Sequence, residues 1–295
     1  MLPERLIADT LNLSFRKEAR GYAKRKLRSK RVPPRMHVSS LIKSQAGDRF
    51  CAREFVLHYA ERRDLRGNGV PPKFQLLYDT GHFLGDYVVA QFLQRAPEYA
   101  HMAWGDWVCV CGETRISRAR YDKNAKCPCC NKPVNIYQEV DIFNKAKTVI
   151  GHADLIMLDD DGVFHIYEFK SIDRADVVFA DIDRPLGDHH VQASNYYYML
   201  REEGKNVSRM IRFVYIDRSM TEIYKSKPYR EVSAPAIPRE RLAFIYKRAH
   251  VVTDALATKM LPSRICTSIT CTRANNCRVA ISCFERKSRK FRVLP

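Results

Sequence analysis

The sequence has no run of roughly 18 or more apolar residues, so it offers no transmembrane helix. Its first residues, MLPERLIADTLNLSFRKEAR, lack the unbroken apolar core and cleavage site of a secretory signal. No internal repeat and no low-complexity tract appears, which argues against solenoids and linker-like chains. Acidic residues are scarce relative to basic ones: 33 Asp+Glu stand against 51 Lys+Arg, giving a net charge of +18. An excess this large favours a polyanionic partner, because neutralising phosphates releases condensed counterions. No amphipathic basic helix stands out, so a membrane partner is not expected, and a cytoplasmic, intracellular protein is. Reducing compartments disfavour disulfides, so the 10 cysteines are better read as metal ligands.

The most informative stretch is GHADLIMLDDDGVFHIYEFK, residues 151–170. Asp159-Asp160-Asp161-Gly162 is a turn signal between two apolar runs, and together they predict a β-hairpin. Side chains alternate along a strand, so Glu168 and Lys170 share a face and Phe169 takes the other. Counting back through the turn brings Asp154 to within a residue or two of Glu168. Two carboxylates and an ammonium then converge within apolar β-runs, where charges are costly unless paired or metal-bound. Carboxylate oxygens suit magnesium or manganese, and a nearby lysine can serve an attacking water. Downstream, Gln192 and Tyr196 lie four residues apart on one helix face. Tyr196 is core packing or a base-stacking ring, and Gln192 can bond a phosphate, a base or a catalytic group.

Along the chain, residues 1–36 form a basic arm with 11 Lys/Arg and 3 acids. Residues 37–106 read as a helical region, with two short helices within 38–60 and a longer one over 74–96. Residues 107–132 are cysteine-rich and expected to be irregular. The core spans 133–260, with strands near 134–143, 148–158, 163–171 and 210–217, and helices over 189–203 and 238–258. A partner for the 210–217 strand is expected at 221–226. The last segment, 261–295, is again cysteine-rich and ends in a basic tail. Strands separated by helices predict a mixed α/β (α+β) fold, a central mixed β-sheet flanked by helices.

Cys109-x-Cys111 and Cys127-Pro-Cys129-Cys130 are separated by 15 residues. Two thiol pairs flanking a short loop are the pattern of a zinc knuckle inserted before the catalytic sheet. The preferred ligands are Cys109, Cys111, Cys127 and Cys130, with Cys129 as the alternate.

Gly151-x-x-Asp154, Glu168-x-Lys170 and Gln192-x-x-x-Tyr196, in this order, resemble the PD-(D/E)XK nuclease superfamily. The pattern is closest to its RecB-type branch, with the CRISPR-associated iron–sulfur exonucleases and related phage exonucleases. The resemblance implies that Asp154 and Glu168 bind magnesium or manganese and that Lys170 serves the attacking water. Glu139 falls where that branch often carries an acid, and His82, in Gly81-His82, is a candidate further ligand. Cys51-Ala52-Arg53 resembles the branch's Cys-Pro-Arg motif, with alanine in place of proline. Iron–sulfur members clamp a [4Fe–4S] cluster with one early and three late cysteines, which implies Cys51, Cys266, Cys277 and Cys283, with Cys271 as alternate. The implied activity is a metal-dependent DNA exonuclease acting on single strands or ends. Two alternatives stand beside it: a non-cleaving DNA-binding or adaptor protein on the same fold, and a sequence-specific endonuclease.

Overall fold

The computed structural model describes residues 36–42, 50–61, 85–172, 181–217, 229–275, 277, 279–286 and 290–291. The basic arm, His82, the helical expectation over 74–84 and the expected strand at 221–226 lie outside these residues. The description below concerns the unit from Met36 onward.

The described elements begin with strand β1 (Met36–His37), helix α1 (Val38–Ile42), helix α2 (Ala52–Glu61), helix α3 (residues 85–95) and helix α4 (Pro97–Ala100). Strands β2 (Ala103–Cys109), β3 (Arg115–Arg120) and β4 (Val134–Gln138) follow, then β5 (Asp141–Phe143), β6 (Val149–His152), β7 (Leu155–Leu158) and β8 (Phe164–Ile172). Helix α5 (Gly187–Glu202) precedes β9 (Met210–Asp217) and β10 (Tyr229–Pro235). Helices α6 (Arg239–Thr258), α7 (Thr272–Asn275) and α8 (Ala280–Glu285) complete the described chain.

The larger sheet has the order β10-β9-β8-β7-β2-β3, with β4 also paired to β2; the smaller has the order β1-β6-β5. The fold is thus mixed α/β, with mixed sheets flanked by helices. β7 and β8 form the expected antiparallel hairpin, in register Leu155↔Tyr167 and Leu158↔Phe164. Its turn closes through Asp159: the Val163 amide donates to the Asp159 carboxylate at 2.8 Å, and Gly162 adopts φ +75°. That positive φ is why glycine ends the Asp-rich turn. β8 and β9 run parallel, and such a pair needs a crossover, which contains α5. At the end of α5, Lys205 N–H bonds the Leu200 carbonyl at 3.1 Å and Gly204 takes φ +82°, a glycine-based helix stop.

The two sheet faces bury different clusters. Ile156 and Ile166 pack with residues of α1, α2, α5 and α6. Leu155, Met157 and Phe169 pack with Trp107, Val89 of α3, Cys109 and Cys127. Strand alternation therefore puts Glu168 and Lys170 on the α5 face.

Several expectations are corrected. Residues 107–132 are not irregular throughout: Trp107–Cys109 finish β2, and β3 lies wholly within the segment. Their partner strands supply the ladder that the cysteine-rich composition hides. The runs 134–143 and 148–158 each split into two strands that belong to different sheets. The described partner of β9 is β10, antiparallel with Tyr229↔Ile216.

Candidate active site and metal centres

The break between β6 and β7 falls at Ala153–Asp154. Extending the β7–β8 register by one residue sets Asp154 opposite Glu168. With no strand residue there, the Phe169 amide donates instead to Asp154 Oδ2 at 2.6 Å. Lys170 Nζ lies 2.5 Å from Glu168 Oε1 and 3.8 Å from Asp154 Oδ2. The three side chains named from the hairpin therefore meet in one place. From α5, Gln192 Nε2 donates to Glu168 Oε1 at 2.9 Å and contacts Tyr196 Oη at 2.6 Å.

Glu168 is fully buried, and its Oε2 has no hydrogen-bond partner. A buried, unsatisfied carboxylate oxygen is costly and suits a cation. Glu139, just past β4, adds a third carboxylate close enough to Asp154 and Glu168 to feel their charges. Burial, then repulsion by Asp154 and Glu168, pushes Glu139 up to about 8. Burial, then the Asp154 charge, likewise pushes Glu168 up to about 8. Burial opposes the charge on Lys170, but Glu168 and Asp154 outweigh it and hold the ammonium above its ordinary value. Among the described residues the site gathers three carboxylates around the Lys170 ammonium, and the donor set suits a hard divalent ion.

Tyr196 is 3% exposed and packs against Gly151, where a Cβ would collide with its ring. The core-packing reading of Tyr196 therefore describes it, and stacking on a base does not. Gln192 donates to the Glu168 carboxylate. The glycine of Gly151-x-x-Asp154 gains a steric reason that only the α5 contact reveals.

The middle cysteines converge. Cys109, Cys111, Cys127 and Cys130 have sulfurs all within 4.8 Å of one another, and this group can hold a metal ion. Cys109 Sγ lies 3.4 Å from Cys130 Sγ, and Cys111 Sγ lies 3.5 Å from Cys127 Sγ. Four thiolates at about 2.3 Å from a tetrahedral zinc stand about 3.8 Å apart, close to these separations. Cys129 is exposed and outside the group. Thr114 Oγ1, a residue the spacing did not suggest, sits 3.0 Å from Cys127 Sγ. That bond, helped by the Cys130 and Cys129 amides, lowers the Cys127 thiol to about 6. The Cys111 amide favours the Cys109 thiolate, but burial and the other sulfurs push it up to about 12.

The terminal cysteines meet differently. Cys51, Cys266, Cys277 and Cys283 line one hollow together with Arg264 and Arg273, while Cys271 does not line it. Arg53, 3% exposed, donates Nε to Cys283 Sγ at 3.2 Å and Nη1 to the Pro262 carbonyl at 2.9 Å. The Cys51-Ala52-Arg53 motif marked this residue, but its reach to Cys283 is a tertiary fact.

No protein-family model matches the chain, and no curated protein matches it. One solved structure, the crystal structure of SSO0001, is similar over 88% of this chain and 89% of that one, with 13% identity and a TM-score of 0.42. A likeness this distant carries no argument about chemistry. The functional reading rests on the residues themselves.

Proposed function

We propose that the chain is a metal-dependent DNA nuclease of the PD-(D/E)XK type, an exonuclease acting on single strands or ends. One observation carries the reading: Asp154, Glu168 and Lys170 converge at the strand break, with Glu168 Oε2 buried and unpartnered. Magnesium or manganese held by Asp154 and Glu168 would supply Lewis-acid activation of water and the phosphodiester. Lys170 orients the attacking water and offsets charge developing on the phosphate. Gln192 fixes the Glu168 carboxylate, and Tyr196, seated in the space that Gly151 leaves, fixes Gln192. Lys+Arg excess over the whole chain supplies attraction for the DNA backbone.

Two further metals belong to this reading. Cys51, Cys266, Cys277 and Cys283 hold a [4Fe–4S] cluster that ties α2 to the C-terminal segment. Cys109, Cys111, Cys127 and Cys130 hold zinc. The test uses anaerobically purified protein with manganese on end-labelled single-stranded, double-stranded and circular DNA. Nucleotide release from linear DNA with circles left intact is the expected result. Cutting of circles would make it an endonuclease, and binding without cutting would leave a DNA-binding protein.

A further inference from the structure

The four-cysteine centre and the carboxylate cluster lie at opposite ends of one strand. β4 is paired along β2, in register Cys109↔Val134, Trp107↔Tyr137 and Asp106↔Gln138. β7 pairs with the same strand further on, Trp104↔Ile156 and Ala103↔Met157. Both run antiparallel to β2. Extending each register makes β4 stop, and β7 start, opposite Gly105 and Asp106. By that register Glu139, the residue after β4, falls opposite Gly105, and Asp154, two residues before Ile156, falls opposite Asp106, so the two carboxylates come to neighbouring positions at the junction.

The opposite end of β4 depends on the thiols. Residues 121–133, YDKNAKCPCCNKP, carry few apolar side chains, and those that pack against the Trp107 cluster are Tyr121, Ala125 and the ligands Cys127 and Cys130. They fold back through Cys127 N–H on the Lys132 carbonyl and Val134 N–H on the Ala125 carbonyl, at 2.8 and 3.0 Å. Val134, the first residue of β4, pairs with the ligand Cys109 across a register shift. Glu139 follows five residues later, roughly 16 Å along the strand at about 3.3 Å per residue. Two of the loop's few packed side chains are the thiols Cys127 and Cys130, so a structural zinc, whose binding energy is folding energy, would staple the loop where it meets the core. Tyr137 fixes the middle of β4, where its ring covers Gly105 and meets Trp107 edge-on at 5.3 Å.

We propose that zinc in the four-cysteine centre sets the register of β4 on β2, and thereby positions Glu139 beside Asp154. The zinc knuckle is then a positioning device for the carboxylate cluster. The inference rests on the nuclease reading only for the use made of Glu139.

The test follows the full-length protein through three readings. They are zinc content, hydrogen exchange of amides 134–138, and manganese affinity by electron paramagnetic resonance. Wild type and Cys129→Ser should each hold one zinc, with Zn–S distances of about 2.3 Å by X-ray absorption. Cys127→Ala should lose zinc and lose amide protection across β4 while β8 and β9 stay protected, and it should bind manganese more weakly. Cys130→His, which keeps a fourth zinc ligand, should retain all three. Should Cys127→Ala fail to fold, Cys111→Ser, whose thiol is exposed, carries the same readings. Zinc loss with β4 protection and manganese affinity unchanged would overturn the proposal, as would a folded wild type without zinc. If wild type binds no manganese, the nuclease reading fails, while zinc content and exchange still decide this one.

Discussion

At the scale of single residues, Glu168 is the centre of the account. It is fully buried, gives Oε1 to Lys170 and Gln192, and leaves Oε2 without a donor. Lys170→Ala is expected to lower cleavage about 100- to 1,000-fold, the range for losing one donor that stabilises developing charge, with DNA affinity largely kept. Asp154→Ala should abolish cleavage in the same assay, and full activity would place the metal elsewhere. Gly151 makes a different prediction. A methyl there meets the Tyr196 ring, so Gly151→Ala should cost about 1–3 kcal/mol in denaturant unfolding. Tyr196→Leu in the same chain should recover part of that loss by making room. The hairpin trio was legible because a turn signal and a period of two residues are local. The Gly151–Tyr196 contact and the Arg53–Cys283 bond span 45 and 230 residues and leave no local pattern.

At the scale of elements, α2 is the piece that reaches farthest. It begins beside Cys51 and carries Arg53 to a sulfur at the C-terminal end of the chain. Arg53→Leu removes a charged donor from the Cys283 sulfur, a change worth about 1.5–3 kcal/mol. The expected outcome is a brown protein that bleaches faster in air and melts lower. Unchanged bleaching would detach Arg53 from the cluster. Deleting residues 107–132 would remove β3 and the last turn of pairing in β2, including buried Trp107, so it should destabilise the sheet as well as remove zinc. Sequence patterns placed β8, β9, α5 and α6 within a residue or two, since each carries its own periodicity or turn. They ran β4 into β5 and β6 into β7. Apolar runs do not record where a strand leaves one sheet for another, and that departure at Ala153–Asp154 is what exposes the Asp154 carboxylate to Glu168 and Lys170.

At the scale of the whole molecule, charge and fold class were the readable properties. The alternation of strands and helices anticipated a mixed sheet flanked by helices, and no helix among the described residues is long and apolar enough to cross a membrane. The net charge of +18 predicts that DNA binding weakens steeply with salt. Each phosphate neutralised on a single strand contributes about 0.7 to the slope of log affinity against log salt. A slope of magnitude about 3 or more is expected, and a flat dependence would argue against a backbone-bound polyanion. The central claim is that the Asp154, Glu168 and Lys170 site cleaves DNA with a divalent metal. Its most direct test compares wild type with Glu168→Gln, with and without manganese, on end-labelled single-stranded DNA. Glu168→Gln keeps the shape of the side chain while removing its charge. Manganese-dependent cleavage by wild type, absent in Glu168→Gln at equal DNA binding, is the predicted result; equal cleavage by both proteins, or none by wild type under any metal, would contradict it.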